Sequence, residues 1–292
     1  MKFLLLGLAL GLTFLVAACG GFVFTAANAP AWFGDFDRRG DVAYGANERQ
    51  QLDIYRPKEL GHQGSGGSPR PIVMFWYGGS FEDGRKEQYR FVGAALAEAG
   101  YVAVLPDYRL YPEVRFPGFL DDGAAALAWV VSHAAEIGGD PRRIYVAGHS
   151  AGAHIAAMLA YDAPRLDAVG LPRDAIRGYI GLSGPYALDP NDDTLRTIFS
   201  TPYAHADWQP VQRARVGAPP ALLIHGDADT VVSVKHARRM AEVLAGLGVR
   251  AELRTYPGRG HADTVAAFAK AAPRKLPILE EIHAFIAATS GS

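Results

Sequence analysis

Residues 144–152 read Ile-Tyr-Val-Ala-Gly-His-Ser-Ala-Gly, and this pattern indicates the architecture of the chain. Four apolar residues precede the first glycine, and small helix-forming residues follow the second. The pattern predicts a strand, a tight turn and a helix, with Ser150 at the apex of the turn. The flanking glycines permit a strained backbone and a close helix–strand approach. Such a serine is typical of a nucleophile that attacks a carbonyl carbon; the competing role is a helix N-cap.

Strand-like and helix-like segments alternate through most of the chain. Strand patterns occur at residues 51–55, 71–77, 101–106, 143–147, 177–182, 221–225 and 250–256. Helical patterns occur at 86–99, 118–137, 151–161, 234–246 and 276–288. The alternation predicts one α/β domain over residues 41–290, with a mostly parallel central sheet and helices on both faces. The first strands lack intervening helices, so we expect an antiparallel edge there, with residues 58–70 as a flexible hairpin loop.

Residues 185–220 depart from this alternation. The segment is polar and punctuated by prolines, and it carries Tyr186, Phe199, Tyr203 and Trp208. Long connections in compact domains are usually functional or disordered. We predict a small lid insertion over the site; the alternative is a surface excursion that contains one helix.

Composition limits the classes of partner. The 292 residues are 49% apolar and 20% charged, which is ordinary for a globular protein. The net charge of −1 and the lack of a long basic block argue against nucleic-acid binding. The sequence has no His-Glu-x-x-His motif, no cysteine pair and no phosphate-binding loop that ends in Lys-Ser/Thr, so we expect no metal and no cofactor.

The N-terminus has the pattern of a secretory signal. Met1 and Lys2 precede a nearly unbroken apolar run at residues 3–18, which is short for a spanning helix of about 20 residues. Val-Ala-Ala-Cys at residues 16–19 resembles the lipobox of bacterial lipoproteins, which implies lipidation at Cys19. We therefore expect a signal peptide at 1–18 and a tether at 19–40. The alternatives are an uncleaved anchor and a plain secretory signal.

The residue after Cys19 bears on localisation. Gly20 in place of an aspartate resembles lipoproteins sorted to an outer membrane. We therefore expect a protein of the bacterial cell envelope, lipid-anchored and facing the periplasm or the cell surface. Cys19 is also the only cysteine, which excludes an internal disulfide.

A serine nucleophile needs a base and a group that orients the base. Asp229 lies in the turn that leaves the strand at 221–225, and His261 follows the strand at 250–256. The chain order is then nucleophile, acid, histidine, and each residue follows a strand of the predicted sheet. Asp227 is the competing acid, but the spacing Gly226-x-x-Asp229 favours Asp229.

Backbone N–H groups are expected to stabilise the oxyanion that forms on the substrate carbonyl. One is that of Ala151, directly after the nucleophile. The others belong to Gly78, Gly79 and Ser80, which follow the strand at 71–77. Paired glycines let the backbone approach a substrate closely; the competing interpretation is an ordinary Gly-Gly turn.

Together these motifs resemble the small carboxylesterases of the α/β-hydrolase fold, in particular the feruloyl-esterase-like and hormone-sensitive-lipase-like branches. The resemblance covers residues 42–288 and includes Gln-Leu-Asp-Ile-Tyr-Arg-Pro at 51–57, Asp-Tyr-Arg-Leu at 107–110 and Leu-Ser-Gly-Pro-Tyr at 182–186. It implies a serine esterase that hydrolyses small carboxylic esters through an acyl-enzyme. In these branches the oxyanion loop commonly begins with histidine and often has a third glycine, whereas Tyr77 and Ser80 stand here.

Two other functions are compatible with the sequence. An arylformamidase of the kynurenine-formamidase type, or a small peptidase, would use the same parts; large peptidase relatives carry an extra domain. Faster turnover of N-formylkynurenine than of p-nitrophenyl butyrate would favour the formamidase. A catalytically silent binding lipoprotein is the third hypothesis, and the complete set of candidate residues argues against it.

Overall fold

The computed structural model describes residues 24–58, 68–270, 272 and 276–290, and an eight-stranded sheet organises them. The strands are β1 (Phe36–Ala43), β2 (Gln51–Pro57), β3 (Arg70–Trp76), β4 (Val102–Pro106), β5 (Gly139–His149), β6 (Gly178–Leu182), β7 (Ala221–Gly226) and β8 (Ala251–Tyr256). Their spatial order is β1-β2-β4-β3-β5-β6-β7-β8. The β1–β2 and β2–β4 pairs are antiparallel and all other pairs are parallel, which confirms the predicted antiparallel edge.

The helices cover both faces of this sheet. They are α1 (Arg90–Glu98), α2 (Gly118–His133), α3 (Ala151–Tyr161), α4 (Ala163–Ala168), α5 (Asp193–Ile198), α6 (Pro210–Arg213), α7 (Lys235–Gly246), α8 (Asp263–Ala266) and α9 (Ile278–Thr289). The β3–β4 connection runs toward β1, whereas the later connections run toward β8. Because parallel crossovers are right-handed, α1 lies on one face and α2, α3 and α7 lie on the other. The predicted α/β architecture is therefore confirmed.

Burial explains why the central strands are nearly all apolar. Strands β4, β6 and β7 are buried along their whole length, as expected for strands covered on two faces. The edge strands β1 and β8 are half-buried and carry charged side chains, among them Arg39 and Arg254. Charges on an edge strand discourage pairing with another chain.

The predicted tether is wrong at its C-terminal end. Residues 36–40 belong to β1, whose pairing runs from Phe36 opposite Pro57 to Ala43 opposite Gln51. The preceding residues, 24–33, form helical turns that pack on the body of the protein. Asn28 fixes them there, because its side chain donates to the carbonyls of Glu87 and Gln88 and accepts the N–H of Phe91.

The predicted hairpin at residues 58–70 is also wrong. Strand β4 lies between β2 and β3, so the two strands that flank this segment are not neighbours. Residues 59–67, in the middle of the predicted loop, lie outside the described residues.

The predicted signal peptide at 1–18 and Cys19 likewise lie outside the described residues. None of the helices in the described ranges combines the length and the hydropathy that a membrane span requires.

Candidate active site

Ser150 lies on a sharp turn between β5 and α3. Its backbone has φ 55° and ψ −125°, a conformation that is strained for any residue except glycine. A Cβ on Gly152 would lie 2.1 Å from the carbonyl oxygen of Trp76, and one on Gly148 would lie 2.3 Å from that of Gly152. Only glycine therefore lets α3 approach β3 and β5 so closely. The strand, turn and helix predicted around Ser150 are present.

Asp229 and His261 form a pair beyond the ends of β7 and β8, with the carboxylate buried and the imidazole partly exposed. The distance between His261 Nδ1 and Asp229 Oδ2 is 2.8 Å, and the other carboxylate oxygen accepts the N–H groups of Val231 and Val232. Burial acts to raise the pKa of Asp229, but the Val232 N–H and His261 outweigh it, so the pKa lies below its ordinary value. The carboxylate is charged at neutral pH and can hold His261 with the proton on Nδ1.

Asp227, the competing acid, has a different partner. Its Oδ1 accepts the backbone N–H of Gly258 at 2.7 Å. Asp227 therefore braces the turn that leads from β8 toward His261, a common use of aspartate beside glycine. Of the two candidate acids, the structure brings Asp229 to the histidine.

His149 connects the serine turn to the histidine loop. Its Nε2 donates to the carbonyl oxygen of His261 at 3.0 Å, and the two rings lie 4.8 Å apart between centroids. Burial, with repulsion from His261, lowers the pKa of His149 to about 3, so this ring adds no positive charge beside His261. Among the described residues, the hydrogen bonds include none between the Ser150 hydroxyl and the His261 ring. Catalytic hydrogen bonds of this kind commonly form or tighten when substrate binds.

Two supporting residues near the acid and the histidine have roles that their sequence context only partly indicates. His225 Nε2 lies 2.8 Å from the carbonyl oxygen of Val232 and 3.2 Å from Asp229 Oδ2, so it holds the acid loop, residues 226–232, in place. Thr264, for which the sequence predicts no role, lies 3.3 Å from the His261 carbonyl through its hydroxyl. Its hydroxyl also lies 3.1 Å from that of Ser183, and this contact between residues 81 positions apart has no local sequence signature.

The predicted oxyanion groups gather around Ser150. A Cβ on Gly78 would lie 2.9 Å from Ser150 Cβ, which shows how closely this loop passes the serine. Gly79, Ser80 and Phe81 all have positive φ angles, of 134°, 52° and 66°. In the described part of the chain, the N–H groups of these three residues donate no hydrogen bond to protein. The N–H of Ala151 lies in the first turn of α3, where N–H groups have no intrahelical partner.

A cavity of about 400 Å³ opens at Ser150. Its walls come from the oxyanion loop, the start of α3, the beginning of the predicted lid and the acid loop; they include Ser80, Phe81, Ala151, Pro185, Leu188, Leu195, Val232 and His236. The first part of the 185–220 segment therefore borders the serine, where the lid was predicted. A larger cavity of about 680 Å³ lies near the start of β5, at the opposite end of the strand from Ser150, and is lined by Asp140 and Arg177.

The described residues contain no group of three His, Cys, Asp or Glu side chains placed to hold a metal ion.

Known sequences match this chain over most of its length. The BD-FAE sequence profile matches residues 52–170, and the profile of the prolyl oligopeptidase family matches residues 119–292. The carboxylesterase NlhH of Mycobacterium tuberculosis is 34% identical over 249 residues, which cover 73% of this chain and 75% of that protein. The isoprenylcysteine α-carbonyl methylesterase ICME of Arabidopsis thaliana is 30% identical over 247 residues. These cover 77% of this chain but 56% of the plant protein, so the chain spans little more than half of that relative.

Solved structures of esterases have the same fold. A truncated carbohydrate esterase from gut microbiota superposes with a TM-score of 0.75 at 22% identity, over 89% of this chain and 98% of that one. The butyrate-bound esterase of Thermogutta terrifontis superposes with a TM-score of 0.70 at 26% identity, over 87% of this chain and 94% of that one. With the sequence matches, these likenesses show that the chain belongs to the esterases of the α/β-hydrolase fold that are related to the prolyl oligopeptidase family.

Proposed function

We propose that this protein is a serine carboxylesterase that hydrolyses small carboxylic esters through an acyl-enzyme intermediate. The observation that carries the proposal is the contact of His261 with the buried carboxylate of Asp229, tied through His149 to the strained turn of Ser150. The esterase names of the relatives support the same reaction class.

In the proposed reaction, Ser150 Oγ attacks the ester carbonyl carbon while His261 Nε2 takes the hydroxyl proton. Asp229 stabilises the imidazolium, and the N–H groups of Gly78, Gly79, Ser80 and Ala151 are the candidates that surround the oxyanion. The bond to the alcohol oxygen then breaks as His261 returns the proton to the leaving alcohol. Water attacks the acyl-enzyme in the same way and releases the acid.

The cavity favours small substrates. Its volume of about 400 Å³ lies at the low end of the range for small-molecule sites. Leu188, Leu195 and Val232 give it an apolar part that suits a hydrocarbon chain. The related T. terrifontis esterase has been solved with butyrate and with propionate, which supports short acyl groups as the substrate class.

Hydrolysis of a p-nitrophenyl ester series from acetate to decanoate tests this function. We expect the highest kcat/KM at two to four acyl carbons and a loss of about 10⁵–10⁶-fold in kcat for Ser150→Ala, as for other serine nucleophiles. Ser132→Ala, which changes an exposed serine on α2, is the matched control. Undiminished fluorophosphonate labelling of Ser150→Ala would exclude Ser150 as the nucleophile. N-formylkynurenine and a p-nitroanilide are run beside the esters, and a higher kcat/KM on either would overturn the ester assignment.

We further propose that the protein is a lipoprotein, anchored through Cys19 in the envelope of a two-membrane bacterium. The described structure begins at residue 24, and residues 24–33 already pack on the body. A chain advances about 3.4 Å per residue, so a lipid on Cys19 would hold the catalytic body within about 20 Å of the bilayer surface. Multiple acyl chains, at about 0.8 kcal/mol per buried methylene, give firm attachment.

Intact mass spectrometry of the membrane fraction tests this anchor. We expect a mature chain that begins at residue 19 and carries the mass of a diacylglyceryl group, together with radiolabelled palmitate incorporation that Cys19→Ser abolishes. The Ser150→Ala variant should incorporate palmitate normally. A mature chain that begins elsewhere, or that carries no lipid, would contradict the proposal.

A further inference from the structure

The oxyanion loop, defined here as residues 77–84, begins with a tyrosine whose hydroxyl has an ordered partner. Arg49 lies just before β2, and its Nη2 donates to the Tyr77 hydroxyl at 2.8 Å and to the Gly84 carbonyl at 2.7 Å. One guanidinium nitrogen therefore joins the first and last residues of the loop. Arg49 Nε donates to the carbonyl of Tyr108 at 2.8 Å, which fixes the guanidinium itself.

Tyr77 is further fixed by its ring and its backbone. The ring is buried between those of Tyr108 and Tyr89, with centroids 4.7 Å and 5.7 Å away and interplanar angles of 22° and 27°. The Tyr108 hydroxyl donates to the Tyr77 carbonyl at 3.0 Å. At the other end, a Cβ on Gly84 would lie 2.7 Å from the Tyr77 ring. Both ends of the oxyanion loop are thus packed against each other and against Arg49.

The positive charge of Arg49 is balanced locally. Asp107 Oδ1 lies 3.9 Å from Arg49 Nη2 and accepts the backbone N–H of Lys86, two residues after the loop, at 2.8 Å. Arg49 is partly buried, with 30% of its side chain exposed. A planar guanidinium can serve three oxygen acceptors in fixed directions, which a lysine ammonium cannot do in the same geometry.

The loop between these anchors needs external support. Gly79, Ser80 and Phe81 have positive φ in succession, and strained conformations of this kind persist only where the surroundings enforce them. The middle of the loop is supported separately, because the Phe81 carbonyl accepts the N–H of Tyr111 at 2.9 Å. Arg49 contacts the two ends of the loop, on either side of Gly79 and Ser80.

We propose that Arg49, acting through Tyr77 and Gly84, is a positioning residue that aims the oxyanion-loop N–H groups at the reacting carbonyl. The inference rests on the proposed esterase function. In the branches that this chain resembles, the oxyanion loop commonly begins with histidine. In this chain the loop begins with Tyr77, and the Arg49–Tyr77 pair anchors it. Loss of the anchor misdirects donors that act mainly in the transition state, so turnover falls more than substrate binding.

The test compares Arg49→Met, Arg49→Lys and Tyr77→Phe with the wild type. Arg39→Met is the control, because Arg39 is an exposed arginine on β1 that pairs with Glu136. For each protein, kcat and KM are measured with p-nitrophenyl butyrate. The inhibition constant of an alkyl trifluoromethyl ketone, which adds to a serine and places an oxyanion in the hole, is measured beside them.

We expect Arg49→Met to lower kcat by about 10–100-fold, somewhat less than complete removal of one oxyanion donor, with KM changed by less than about threefold. The ketone inhibition constant should rise by the same factor as kcat/KM falls. Arg49→Lys should be intermediate, Tyr77→Phe should lose about 3–10-fold, and Arg39→Met should match the wild type. These effects should persist well below each variant's melting temperature, where a purely stabilising role would leave the inhibition constant unchanged.

The outcomes separate this inference from the proposed function. If Ser150→Ala retains wild-type turnover, the esterase mechanism itself fails. If the wild type is active through Ser150 but folded Arg49→Met or Tyr77→Phe keeps kcat and the ketone inhibition constant within twofold, the positioning role is overturned. If Arg49→Met does not fold, kcat and the ketone inhibition constant of Tyr77→Phe and Arg49→Lys are judged by the same twofold limit.

Discussion

Asp229 and Asp227 are two residues apart in one turn, yet they do different work. Asp229 is buried against His261, whereas Asp227 accepts a backbone N–H from Gly258. We expect Asp229→Asn to lower kcat by about 10⁴-fold, because an asparagine neither stabilises the imidazolium nor enforces the required tautomer. Asp227→Asn preserves an acceptor for Gly258 and should keep kcat within a few-fold. Ester kinetics on both variants check this, and an equal loss in the two would contradict the assignment.

At the scale of single residues, the sequence identifies the groups that a motif places and misses those that only tertiary contact places. Ser150 and Asp229 each follow a strand at a spacing that the chemistry requires. Arg49 has no such signature, because it meets Tyr77 from 28 positions away in sequence. The pairing depends on the sheet order, because β4 places the start of β2 near the end of β3, and no local pattern encodes that.

The β5–turn–α3 element depends on two glycines for its close packing. A methyl group on Gly152 would meet the backbone carbonyls of Trp76 and Tyr77, at 2.1 and 2.4 Å, and backbone atoms cannot yield as a side chain can. We expect Gly152→Ala to lower the free energy of unfolding by about 3 kcal/mol, at the upper end of the usual overpacking cost, and to impair turnover.

Urea unfolding measures this loss, with Gly246→Ala as the control. Gly246 ends α7 and has open space where a Cβ would lie, so alanine there should be neutral or stabilise by about 0.5 kcal/mol. Equal stability of the Gly152 and Gly246 variants would show that the helix–strand approach tolerates a side chain.

The elements that the sequence predicts well have either a continuous apolar run or a regular alternation, as in the half-buried edge strand β8, which is predicted at 250–256 and found at Ala251–Tyr256. Strands β3, β4, β6 and β7 are predicted because both faces are covered and the apolar run is nearly continuous. Strand β1 was missed because an edge strand with the sequence Phe-Asp-Arg-Arg-Gly-Asp-Val-Ala carries mostly polar residues. The hairpin error has a different cause: adjacency in sequence suggested that β2 pairs with β3, whereas β4 returns between them.

Across the whole molecule, buried neutral histidines make the fold sensitive to acid. Burial lowers the pKa of His149 to about 3 and that of His154 to about 4, and it also lowers the pKa of His225 and His236. An unfolded histidine titrates near 6.5, so between that pH and the folded pKa the unfolded chain binds more protons. The stability that these histidines contribute is therefore fully present above about pH 6.5. It is lost as the pH is lowered from there through their folded pKa values. Asp229, whose pKa is also lowered, extends the loss to lower pH in the same direction.

The size of this effect follows from two of these histidines. At pH 5, His149 and His154 are mostly neutral when folded and charged when unfolded, so unfolding takes up roughly two protons from them. These two rings should then lower the free energy of unfolding by up to about 2.7 kcal/mol per pH unit near pH 5. Urea unfolding between pH 7 and 4.5 measures the slope. The ring of His154 packs between those of Phe81 and Phe199. The His154→Gln variant should therefore take up about one proton fewer on unfolding near pH 5. A slope near zero in the wild type, or one unchanged in His154→Gln, would mean that these rings are not held neutral by the fold.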